Sequence, residues 1–480
     1  MDSTKSMSPQ DFYTILCDDF PFNLTNNQAI FYQKMIEYLY KEDKNELFVL
    51  KGYAGTGKTT AIATLVKNLL KINKKYVLLA PTGRAAKVIG NYANKQAFTI
   101  HKRIYFPKSV NGGVQFTMQQ NKHKNTLFVV DESSMISDSF SDSKYYVNGS
   151  LLHDLMAYVE EGTNCKLLFI GDTAQLPPVK SELSPALDID QLRFEFNKDV
   201  IHIEFDEVMR QAEDSGILYN ATLLREEING KIEGHFKFNL KSFKDIVHLV
   251  DGYDVQNAIF ESYDTNGPEE TAFIVRSNKR ANQYNQQIRT QILGNESDIS
   301  PGDLLMVVKN NYFWLKESSD AGFIANGDTI EILEIYKRQE LYGFQFATVK
   351  VRMIDYPNQP AFETVLLLDT LTSESASLTY EQSNSLYQEV NKDYENERQA
   401  YKKLLKVKQN PYFNALQVKF AYAFTCHKSQ GGQWDTVFVE QPYLPDGVSI
   451  AYYRWLYTAM TRAKNKLYLL GFKEDFFNHE

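Results

Sequence analysis

From Leu24 to about Phe205, short continuous apolar runs alternate with longer stretches of helical period. The runs are Leu47–Leu50, Tyr76–Ala80, Leu127–Val130, Lys166–Ile170 and Val200–Phe205. A strand that is apolar at consecutive positions is covered on both faces. The pattern therefore predicts a parallel sheet between layers of helix. All but the last run end in polar clusters: Lys51-Gly52, Pro81-Thr82-Gly83-Arg84, Asp131-Glu132 and Gly171-Asp172. Ligands bind at the carboxyl ends of the strands in such sheets, so these clusters are predicted to converge on one site. The alternation is interrupted between Arg103 and Asn125. There Asn111-Gly112, a favoured hairpin turn, lies between Ile104-Tyr105-Phe106 and Val114-Gln115-Phe116, which predicts a small β-hairpin insertion.

A second α/β pattern begins at Ala272-Phe273-Ile274-Val275, with a helix-compatible stretch over Lys279–Leu293. It resumes near Val418 with strands Phe420–Phe424 and Thr436–Glu440, helix Tyr452–Ala463 and strand Lys466–Leu470. Between about Pro301 and Gln417 the alternation fails. Short strand-like runs up to Leu368, with Asn326-Gly327-Asp328 among them, predict a small barrel. Ser377–Lys408 is charged and free of Gly and Pro, and reads as helical, either a solvated helix or a functional element.

The most specific local pattern is Gly52-Tyr53-Ala54-Gly55-Thr56-Gly57-Lys58-Thr59, which fits G-x-x-x-x-G-K-[ST] at every fixed position. It stands between strand Leu47–Leu50 and a helical stretch, Thr60–Leu70, as a phosphate-cradling loop requires. Backbone N–H groups of such a glycine turn converge on phosphate oxygens. Lys58 is expected to reach the β- and γ-phosphates of a nucleotide that the loop alone does not specify, and Thr59 to ligate Mg²⁺. Asp131 is expected to hold the metal through water and Glu132 to polarise the attacking water. In Gly171–Val179, Gln175 is the candidate γ-phosphate sensor. Arg210 and Arg462 are the candidate cations from outside the first sheet's loops. Gln28, at the start of the first helix, carries a donor and an acceptor suited to an adenine edge.

The 480 residues suffice for several domains. Apolar content of 43% and charged content of 23% are those of a globular protein, and there is no apolar run long enough for a membrane span. The polar stretch Met1–Asp19 has no signal-peptide core, and the three cysteines form neither a metal spacing nor a disulfide framework, so a cytoplasmic location is expected. A net charge of −8 argues against a uniformly basic surface but leaves room for a local basic channel. The 30 Tyr and 31 Phe are enough to fill cores and also to stack bases.

These motifs resemble, in order, those of the superfamily 1B DNA helicases of the RecD, Dda and Pif type. The resemblance runs from about Leu24 to Leu470. Beyond the segments above it rests on Ala80–Lys87, Thr99-Ile100-His101, Asp131–Met135, Val208-Met209-Arg210-Gln211, Thr425-Cys426-His427-Lys428-Ser429-Gln430-Gly431-Gly432 and Tyr457–Ala463. It implies an α/β fold of two RecA-like P-loop NTPase domains, with a β-hairpin insertion and a small SH3-type β-barrel insertion. The implied divisions are an N-terminal extension (1–23), domain 1A (24–205) carrying hairpin domain 1B (103–125), domain 2A (206–301 and 411–480) and domain 2B (302–410). ATP is expected in the cleft, held by Gln28, Gly52, Ala54, Gly55, Thr56, Gly57, Lys58, Thr59, Thr60, Asp131, Gly431 and Gln433. At this last position relatives often carry Glu. Catalysis falls to Lys58, Glu132, Gln175, Arg210 and Arg462, and Mg²⁺ to Thr59 and Asp131. Pro81, Thr82, His101, Thr425, His427 and Lys428 are expected on single-stranded DNA, with Phe106 or Phe116 as the aromatic at the hairpin tip. The implied function is ATP-dependent unwinding, with 5′→3′ travel on single strands. Single-strand/duplex junctions are the expected DNA partners, and replication or recombination proteins the candidate protein partners. Two other readings stay open: an ATP-switched single-strand-binding remodeller and an RNA-directed motor. A small-molecule kinase is disfavoured, because it needs neither distant arginine nor a second α/β half.

Overall fold

The computed structural model describes residues 7–110, 113–138, 147–179, 181–207, 214–230, 235–316, 319, 321–445 and 447–478, with the side chains of 107–116 left aside. The first sheet has six parallel strands in the order Ala97–Thr99, Lys75–Ala80, Thr126–Val130, Lys166–Gly171, Glu46–Gly52 and Asp199–Phe205. Alternate residues of one strand serve opposite cores: Phe48 and Leu50 pack on one face, Leu47 and Val49 on the other. Burial on both faces is why these strands read as unbroken apolar runs. The edge strand Ala97–Thr99 is too short to give such a run. Helix Pro9–Asp19 lies in the stretch expected to be an extension. Its Phe12 and Leu16, one turn apart, are fully buried in the same core as Phe31 and Tyr32.

The second sheet has five parallel strands in the order Ala423–Thr425, Thr271–Val275, Trp434–Glu440, Ala463–Leu470 and Ile246–Leu249. Leu304–Val307, Thr329–Leu341, Phe344–Met353, Phe362–Leu367 and Leu416–Phe420 close into a small barrel. One expected strand, Phe420–Phe424, is divided between the two: Leu416–Phe420 closes the barrel and Ala423–Thr425 joins the sheet. Asn285 holds the break. Its amide oxygen accepts from Tyr422 N–H (3.0 Å) and Ala423 N–H (2.8 Å), and its Nδ2 donates to Ala423 O (3.1 Å). The barrel therefore reaches beyond the expected limit at 410. Ser377–Lys408 contains two helices, Tyr380–Lys392 and Ala400–Lys408, rather than one. They pack on the barrel through Leu386, Val390 and Val407.

The insertion in the first domain is an antiparallel pair, Tyr105–Val110 with Gly113–Met118. Its expected turn, Asn111-Gly112, lies outside the described residues. Among the described residues no helix is long and apolar enough to cross a membrane.

Candidate nucleotide site and nucleic-acid face

Strand Glu46–Gly52 delivers the chain into a turn in which Gly55 (φ 75°) and Gly57 (φ 77°) are left-handed. Only residues without a Cβ take that conformation freely. Helix Lys58–Asn68 follows with Gly57 at its N-cap and no side-chain cap bond, so its first N–H groups remain available to an anion. Lys58 Nζ donates to Tyr53 O (2.7 Å), folding back over the loop. Burial pushes its pKa down, against the opposing charges of Asp172, Glu132 and Asp131.

Asp131 and Glu132 follow strand Thr126–Val130. Burial, then the neighbouring Glu132 charge, pushes the Asp131 carboxyl up to about 7. Glu132 itself is left-handed (φ 51°), a conformation costly for a residue with a long side chain, so the surrounding structure must hold it there. Two adjacent acids facing one lysine are short of positive charge. A divalent cation fits that shortage, with Thr59 and Asp131 as its protein ligands. The described residues contain no cluster of three or more His, Cys, Asp or Glu that could hold a metal alone. Mg²⁺ that also takes ligands from phosphates does not need one. Gln175 is 7% exposed and its Oε1 is buried with no hydrogen-bond partner. An unpaired buried acceptor beside a phosphate loop suits a bound water or phosphate hydroxyl.

Arg462 enters from the second domain. It is 3% exposed and its Nη1 lies 3.8 Å from Glu132 Oε1. Tyr457, Thr458 and Gln430 also cross the cleft, bonding to Ala54, Asp172 and Leu176. Arg210 lies outside the described residues. Gln28 is fully buried, with both ends of its amide engaged. Its Oε1 accepts from Thr25 N–H (3.0 Å) in a capping box, and its Nε2 donates to Thr56 O (3.1 Å). In this arrangement it braces the phosphate loop and presents neither group to a base. Gln433 is not gathered at the P-loop. It lines a cavity of about 360 Å³ with Arg84, Lys87, Glu270, Trp434 and Lys464, and no P-loop residue contributes to that wall.

The residues expected on nucleic acid lie past the carboxyl ends of both sheets. Thr82 Oγ1 accepts from Ala85 N–H (3.2 Å) and caps helix Gly83–Ala93. His101 lies on the short helix Ile100–Ile104, and desolvation lowers its pKa to about 4, so the ring is neutral near pH 7. Thr425 ends its strand, exposed His427 follows, and the buried Lys428 Nζ has no hydrogen-bond partner. Left-handed Gly431 (φ 74°) allows the two faces to meet, since a Cβ there would approach Thr82 Oγ1 to 3.0 Å. Phe106 is 52% exposed on the hairpin. The side chain of Phe116 lies outside the described residues.

Two family models match the chain in sequence order: "AAA domain" over residues 24–235 and "UvrD-like helicase C-terminal domain" over 420–470. The ATP-dependent RecD2 DNA helicase of Deinococcus radiodurans is 30% identical over 178 residues, covering 37% of this chain and 21% of that protein. The ATP-dependent DNA helicase dda of Enterobacteria phage T4 is 27% identical over 277 residues, covering 56% and 57%. The chain is similar in sequence to ATP-dependent DNA helicases of the RecD2 and Dda kind. It thus matches about a fifth of the length of one of these relatives and somewhat over half of the other. Among solved structures, a Pif1 helicase from Bacteroides in complex with ADP-AlF3 and ssDNA aligns at 15% identity and a TM-score of 0.48, covering 96% of this chain and 95% of that one.

The motif-by-motif reading missed two kinds of residue. Arg276 directly follows Val275, which pairs with Thr425, and its charge reaches both Cys426 and His427. The rule that strands end in polar clusters, applied to Ala272–Val275, points to it. Tyr457 and Gln430 lie inside recognised motifs, yet no local pattern signals that they bond across the cleft.

Proposed function

We propose that this chain is an ATP-driven motor that travels 5′→3′ on single-stranded DNA and separates duplex at single-strand/duplex junctions. The observation that carries the reading is Arg462. A buried arginine of the second domain faces Glu132 of the first across the cleft that holds the P-loop. A hydrolytic site completed from a second domain responds to domain closure, which is what a motor requires and a simple phosphotransferase does not. Lys58 and the backbone turn of Gly52–Thr59 bind the phosphates, Glu132 orients the attacking water, and Gln175 senses the γ-phosphate. Mg²⁺, held by Thr59 and Asp131, neutralises phosphate charge when bound. Arg462 stabilises charge developing on the transferred group. Loss of the γ-phosphate removes the attraction between domains and lets the cleft open. Thr82, His101, Thr425, His427 and Lys428 grip the strand alternately as the two lobes move.

Lys58→Ala tests the fuel site. DNA-stimulated ATP hydrolysis is expected to vanish, with most single-strand affinity kept, and full hydrolysis in this variant contradicts the reading. Comparing stimulation by matched DNA and RNA strands decides between a DNA and an RNA motor.

A further inference from the structure

Several side chains of the second domain reach across the cleft, Thr458, Gln430 and Tyr457 among them. Thr458 Oγ1 accepts from Leu176 N–H (2.8 Å), and Gln430 Nε2 donates to Leu176 O (2.8 Å). These two bonds fasten the loop that carries Gln175. Tyr457 does something different. Its Oη accepts from Ala54 N–H (2.9 Å) and donates to Asp172 Oδ2 (2.7 Å). One phenol oxygen from the far domain therefore ties the backbone of the phosphate loop to the loop Gly171–Val179.

The surroundings make this tie rigid. Tyr457 is 1% exposed and Asp172 2%. Asp172 Oδ1 accepts from Ala174 N–H (2.9 Å), so its carboxylate is fixed at both oxygens. The charge of Lys58 acts on the same carboxylate. Tyr457 sits in the last turn of helix Ile450–Met460, five positions before Arg462, so the phenol and the arginine move as one body. Buried bonds of this kind are costly to leave half-made, which makes them all-or-none reporters of contact.

We propose that Tyr457 is a positioning residue for ATP hydrolysis. By bonding Ala54 and Asp172 together, it holds the phosphate loop and the Gln175 loop in register only when the cleft is closed. The proposal rests on the ATP-hydrolysis reading above. On opening, Ala54 N–H and Asp172 Oδ2 lose their common partner. Lys58 and Gln175 are then free to drift relative to one another, so hydrolysis waits for closure even when nucleotide is already bound.

Tyr457→Phe keeps the buried ring and removes only the oxygen. Two measurements on the full chain separate positioning from general damage: steady-state ATPase with single-stranded DNA, and equilibrium binding of a non-hydrolysable ATP analogue. The expected result is a kcat lower by about tenfold or more. KM for ATP and the analogue Kd are expected to stay within about threefold of the parent. A kcat within about twofold of the parent overturns the proposal. So does an analogue Kd that weakens in step with kcat, because that is the signature of a damaged fold. If the parent chain itself shows no DNA-stimulated hydrolysis, the functional reading fails, and analogue binding to the parent shows whether its fuel site is intact.

Discussion

Arg462→Ala removes the cation that completes the site from across the cleft. The guanidinium is positioned by its own domain: Nε donates to Thr458 O (3.0 Å), Nη1 to Gly432 O (3.3 Å) and Nη2 to Thr461 Oγ1 (3.3 Å). Its distance to Glu132 Oε1, 3.8 Å, is beyond hydrogen-bond range, so the contact is purely electrostatic. At an effective dielectric near 20 the gross attraction is about 4 kcal/mol, most of it offset by taking the guanidinium out of water. Truncation nevertheless leaves Glu132 and three buried acceptors without their partner, so the loss of stability should be about 3 kcal/mol or more. The loss in rate should be large, because an arginine that meets transition-state charge in phosphoryl transfer contributes about 10³–10⁵ in kcat. We expect kcat for DNA-stimulated ATPase to fall by at least about a hundredfold, with nucleotide Kd changed by less than about tenfold. Arg462→Lys keeps the charge but cannot reach all three acceptors, and should recover only a small part of the rate. Steady-state hydrolysis alongside analogue binding reads both quantities. A kcat within about threefold of the parent would refute the assignment of Arg462 to the transition state.

A Cβ on Gly83 would overlap Asp328 Oδ1, where the barrel meets helix Gly83–Ala93. Gly83→Ala should therefore cost about 1–3 kcal/mol in a denaturant melt, and adding Asp328→Ala should recover part of that loss. A single variant as stable as the parent would mean that this docking is loose. His101 titrates near 4 when folded, against 6.5 for the free side chain. Between those values the unfolded chain binds the extra proton, so stability is present above about 6.5 and lost as pH falls. The shift amounts to about 2 kcal/mol between pH 7 and pH 5. Urea melts at the two pH values should show that difference in the parent and not in His101→Gln. Lys428 Nζ is buried without a partner, and a DNA phosphate is the partner we expect. Lys428→Ala should weaken single-strand binding and lower the slope of log K against log salt by about 0.7, so an unchanged slope would place Lys428 off the DNA.

Local chemistry was legible in the sequence and long-range pairing was not. Gly52–Thr59 and Asp131-Glu132 could be found because each is a short pattern at the end of an apolar strand, and the fold brings both to the same end of one sheet, with strand Lys166–Gly171 between them. The parallel sheet was legible because double-sided burial forces continuous apolar runs, as at Leu47–Leu50. The strand expected over Phe420–Phe424 was misread because its apolar run does not change where the barrel gives way to the sheet. The break is made by Asn285, some 137 positions earlier. The amide of Gln28 looked free for a base because its capping box and its bond to Thr56 exist only in the folded chain. The phenol of Tyr457 was invisible for the same reason, since its partners Ala54 and Asp172 lie 403 and 285 positions away.

Strand displacement on two otherwise identical duplexes, one with a 5′ single-stranded tail and one with a 3′ tail, tests the central claim most directly. The account predicts ATP-dependent release of the strand from the 5′-tailed duplex and little from the other, with Lys58→Ala inactive on both. Hydrolysis of ATP on both substrates without release from either would contradict it and identify an ATP-controlled binding switch instead.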